Sequence, residues 1–263
     1  MAEMMYNELM RKPLHFLLLA IIPAAAVIIS CTDFFSTSWA PWAARDPNKL
    51  IPAITADNVD ELIAMAGNDP NLSLAVLQKI RQGIKDSSGD EKLKLQTAAL
   101  EAAANSVGIG QSVLGAAGQL TNLGGDDPEG MAKDMVISAI NGLQNLESTC
   151  GALLDSLPMP ANPADPAADA AFMAFANKAN ADDLAMAAVI LIAGEAKKQM
   201  KTMEPDDYID ELGEKIVDGD PSLTGSENLA QAMAIASVLE DRADEISGPL
   251  KDVLLGLKLI SKT

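Results

Sequence analysis

The chain has 263 residues, is 49% hydrophobic and only 3% aromatic, and carries a net charge of −18 at pH 7. That length suits one large domain or two small ones. An acid excess of this size repels phosphate backbones and anionic headgroups, which excludes nucleic acid as a partner and any basic patch as a membrane attachment.

Arg11 and Lys12 open an apolar run from Pro13 to Ser30, and Cys31 follows it directly. A basic start, an apolar core and a small residue are the parts of a secretory signal. Two other readings compete, because about 20 apolar residues also span a bilayer or form a buried core helix. Ile28-Ile29-Ser30-Cys31 resembles the lipobox of bacterial membrane lipoproteins. That resemblance implies cleavage between Ser30 and Cys31, and acylation of the Cys31 thiol and of the new amine. It places the protein in the bacterial cell envelope, on the periplasmic or surface side, held to its membrane by lipid. Two fatty chains give stable anchoring, since each buried methylene contributes about 0.8 kcal/mol. Glu3 and Glu8 precede the basic pair, so Met10 is an alternative start for a more compact signal.

Loss of residues 1–30 would remove two basic and two acidic residues, so the remainder keeps the −18. It would also remove His15, the one histidine, and acylation would leave Cys150 as the one free thiol. Nucleophile systems built on histidine and zinc sites built on His and Cys are then excluded in their usual forms. The expectation is a protein that is not an enzyme and holds no cofactor or metal, with Cys150 buried as a small hydrophobe.

Residues 31–54 crowd Phe34, Phe35, Trp39 and Trp42 among Pro41, Pro47 and Pro52. Proline removes backbone donors and pushes its predecessor toward extended shapes, so this reads as an extended tether. Its aromatics either strap onto the body or sit at headgroup level beside the lipid.

From residue 55 to 263 the apolar positions recur every three or four residues, which predicts helices throughout. The first carries Val59, Leu62, Ile63 and Ala66. Asp69-Pro70 caps a second, with Leu74, Leu77, Ile80 and Ile84 on one face. A third carries Leu93, Thr97, Leu100, Ala104 and Val107, to be interrupted or ended by Gly108 and Gly110. A small-residue segment follows to Leu123. Asp127-Pro128 starts a helix through Leu146 that is expected to continue to Leu157. Residues 158–166, rich in proline, form the strongest loop and a possible subdivision of the body. Asp165-Pro166 is expected to start a short helix with Phe172 and Phe175. Asn180 caps the most apolar helix, Leu184 to Ala193, read as the centre of the core, with lysines at its end. Pro205 opens a helix bearing Tyr208 and Leu212. Thr224-Gly225-Ser226-Glu227 reads as a capping box before Leu229 to Ile246. A last helix carries Leu250, Val253 and Leu254.

The expected fold is all-α: antiparallel helix pairs stacked as an irregular bundle or a short helical-repeat array. In outline it resembles helical-repeat lipoproteins such as the TPR-like component of TRAP transporters, without the TPR landmark residues. The acidic pairs at Asp126, Asp182, Asp206 and Asp218 read as helix caps and solvated charge. The Asp218 cluster departs from a calcium loop by having Leu223 and Leu229 at the glycine and glutamate positions. The expected function is a lipid-anchored scaffold or interaction module with an unidentified protein partner. The rival is a carrier holding an apolar small molecule between helices, lined by Met135, Met186 and Met233.

Overall fold

The computed structural model describes residues 51–108, 137, 140–201, 204, 207–208, 211–212, 214–215 and 225–256. Helices and two short 3₁₀ turns account for the regular structure of these residues, and the fold is an all-α bundle.

The first helices follow local rules. α1 (Val59–Ala66) buries Val59, Leu62, Ile63 and Ala66. α2 (Pro70–Asp86) starts where Asp69 accepts hydrogen bonds from the Asn71 and Leu72 backbone N–H at 2.9 and 3.1 Å, with Pro70 at the first position where its missing N–H costs nothing. Ser87 and Ser88 are the whole connection to α3 (Gly89–Val107), so the chain doubles back and the two helices pack as a hairpin. Gly108, in the left-handed conformation, ends α3. Ile51 and Ile54, at the end of the expected tether, are buried. The backbone there passes so close to α2 that a Cβ on Gly83 would meet the Ile54 carbonyl oxygen at 2.8 Å.

The middle of the chain departs from the sequence reading at two starts. The helix expected to run on through Leu146 is broken: Asn145 takes a left-handed conformation (φ 51°), and α4 (Leu146–Ser156) begins after it. The short phenylalanine helix starts later than expected. Pro166–Ala168 is a 3₁₀ turn, and Asp169 rather than Asp165 caps α5 (Ala170–Lys178) by accepting from Ala171 and Phe172 N–H, both at 3.0 Å. These bonds and one from Ala161 N–H hold the Asp169 carboxyl below its ordinary range. The proline-rich segment is a loop up to Asp165, and α4 before it packs on the later helix Ala181–Gln199.

α6 (Ala181–Gln199) is capped by Asn180, as expected, and is buried on almost every side from Leu184 to Ala193. It does not hold the centre alone. α3 touches α1, α2, α4, α5 and α6, with Leu95, Ala99, Leu100 and Ala103 fully buried. α7 (Glu227–Asp241) is the main partner of α6. α8 (Gly248–Gly256) packs on α6 through the end of the described chain, with Leu250, Val253 and Leu254 buried. Met186 and Met233 are half-buried packing against this core.

Polar contacts pin the helices where they meet. Ser106 on α3 and Thr149 on α4 share a buried hydroxyl pair at 2.8 Å, and Arg81 of α2 pairs with Asp155 of α4 at 2.9 Å. At the corner between α5 and α6, Arg242 donates to the Ala176 and Ala179 carbonyls at 2.7 and 3.1 Å, satisfying the end of α5. Asp182 accepts from the Ser247 N–H at 2.7 Å, just ahead of α8. Asp183 does not fit the expectation of a solvated cap. It is half-buried, and burial, then Glu101 and Asp182, push its carboxyl up to about 6.

Candidate functional site: a cleft around Glu195

The C-terminal end of α6 and the starts of α4 and α7 surround a half-open cleft of about 730 Å³. Each wall is positioned by a local feature. Asn145, which tolerates a left-handed backbone better than most residues, donates through Nδ2 to Asn71 Oδ1 and to the Ser106 carbonyl, both at 3.3 Å. These bonds fix the start of α4 against α2 and α3. Ser226 is the N-cap of α7. The capping position therefore falls two residues beyond the expected Thr224, and Ser226 Oγ accepts from the Leu229 N–H at 3.5 Å. The same hydroxyl donates to Glu195 at 2.8 Å.

Glu195 is the organising charge of the cleft. Its side chain is 4% exposed, a position where an ionised carboxylate needs full compensation. It receives that compensation. Gln199 Nε2 donates to Oε1 at 2.8 Å, Ser226 Oγ and Asn228 Nδ2 donate to Oε2 at 2.8 and 3.3 Å, and the Lys198 ammonium lies 3.9 Å away. Burial pushes its carboxyl up, but these donors and Lys198 outweigh burial and hold it below its ordinary value. The start of α7 adds the positive end of a helix dipole beside the same carboxylate. Glu195 is thus a clamp between two helices, committed to holding α7 against α6.

Behind it lies Cys150 of α4, buried as expected, with Sγ donating to the Ile190 carbonyl at 3.4 Å. Burial, followed by the Glu195 charge, pushes the thiol up to about 12, so it stays protonated and unreactive as a nucleophile. A Cβ on Gly194 would collide with Cys150 Sγ, so glycine is what lets α6 come this close to α4. At the cleft mouth, Lys197 and Lys201 make no ion pair among the described residues, and Lys198 and Lys201 are exposed. The cleft sets Lys197, Lys198 and Lys201 beside the carboxylates of Glu147 and Glu227, and can receive polar groups of another molecule.

No family model, curated protein or solved structure matches this chain.

The residues singled out in the sequence fall elsewhere. Ser30, Cys31, Phe34, Phe35, Trp39 and Trp42 lie outside the described residues, as do Met135, Asp126, Asp127, Asp206, Asp218 and Asp220. Among the described residues no group of three or more His, Cys, Asp or Glu side chains is placed to hold a metal ion. The sequence reading passed over Glu195, and it included Ser226 in the capping box without making it the cap. A signal for Glu195 was present: Leu184, Ala188, Leu191 and Glu195 follow one another at spacings of 4, 3 and 4, which puts the carboxylate on the buried face.

Proposed function

We propose that this protein is a lipid-anchored, extracytoplasmic helical scaffold that engages a protein partner through polar surface rather than an apolar carrier. The single observation that carries this reading is the contrast between core and cleft. The interior holds Leu77, Leu95, Leu100, Phe172, Phe175 and Ile190 fully buried, while the cleft sets Lys197, Lys198, Ser226 and Asn228 around a clamped carboxylate, with Leu143, Leu146 and Leu154 in the same wall. Met186 and Met233, which would line a groove for an apolar cargo, pack against the core instead. No helix among the described residues is long and apolar enough to cross a membrane.

Native mass spectrometry after gentle extraction tests the module reading. A second polypeptide in stoichiometric amount is expected. A co-purified apolar lipid in its place would favour the carrier and overturn the scaffold. Metabolic labelling with palmitate tests the anchor separately: the wild type takes up label and Cys31→Ala does not. Equal labelling of both would remove the lipid from this account.

A further inference from the structure

We draw no further inference here: the strongest candidate, the cleft between the C-terminal end of α6 and the starts of α4 and α7, belongs to the site already described, and nothing in the structure shows what covers it.

Discussion

Among the described residues, the α2–α3 hairpin and the α6–α7 pair make the two most extensive helix contacts, and they are built differently. The hairpin meets through large side chains, Leu77, Ile80, Leu95 and Leu100, all fully buried, and its cap and tight connection are local. The α6–α7 pair adds alanines with no exposed surface, Ala185, Ala187, Ala188, Ala232 and Ala234, to large buried side chains such as Leu191 and Ile235. Small residues bring helix backbones close but bury little area each, so this pair adds a polar clamp, Glu195 with Ser226 and Asn228, at one end. The hairpin depends on apolar bulk, and the α6–α7 pair depends also on close approach and one buried charge.

Substitutions that invert these demands sharpen the contrast. The largest effect is expected in the hairpin, where Leu100→Ala should lower unfolding free energy by about 3 kcal/mol in a urea titration, through lost transfer energy and the cavity left behind. Glu195→Gln should cost about 2 kcal/mol at neutral pH, because an amide cannot accept from all of the donors aimed at this site. Its sign with pH is fixed by the lowered carboxyl: the stabilisation is present above the ordinary value of 4.5 and is lost as pH falls through the folded-state value. The deficit of the variant should therefore shrink in acid, and a deficit constant down to pH 3 would contradict the clamp.

Gly194→Ala inserts a methyl group where Cys150 Sγ already sits, and overpacking of this kind costs about 1–3 kcal/mol. Cys150→Ala should restore most of that loss in the double variant. Additive losses in a double-mutant cycle would show that the two helices are held apart by something else. The smallest effect is a gain. Asp183 ionises near pH 6 in the folded protein and near its ordinary value of 3.8 in the unfolded chain. Its raised value means that stability is fullest below 3.8 and is lost as pH rises through 6. Asp183→Asn should thus add about 1–2 kcal/mol at pH 7 and nothing at pH 4. A Tm gain that persists at pH 4 would assign the effect to something other than this charge.

The sequence made the hairpin legible and the α6–α7 clamp opaque for the same reason. Asp69-Pro70 and Asn180 act on backbone groups two or three residues away, so their roles can be read without knowing what packs nearby. Val59, Leu62 and Ile63 likewise announce a buried face by spacing. Ser226, Asp169 and Asn145 were misplaced or missed because several small polar residues near each helix start could serve as caps, and tertiary contacts choose among them. Ser226 is fixed by Glu195, 31 residues earlier, and Asn145 by Asn71 and Ser106. Glu195 sits in Gly194-Glu195-Ala196-Lys197-Lys198, a run that reads as the polar end of a helix until α7 covers it. Asp183 was taken for a solvated cap because nothing in its neighbourhood along the chain reveals Glu101 across the α3–α6 contact.

The corner between α5 and α6 has a consequence for the order of assembly. Its carbonyls at Ala176 and Ala179 are closed by Arg242, and Asp182 is engaged by Ser247, so both closures come from chain made more than 60 residues later. A polypeptide emerging from its N-terminus must carry that corner in a hydrated, frayed form until positions 242–247 arrive. Whatever escorts the growing chain meets its open seam there, and the seam closes only once residues 242–247 are in place.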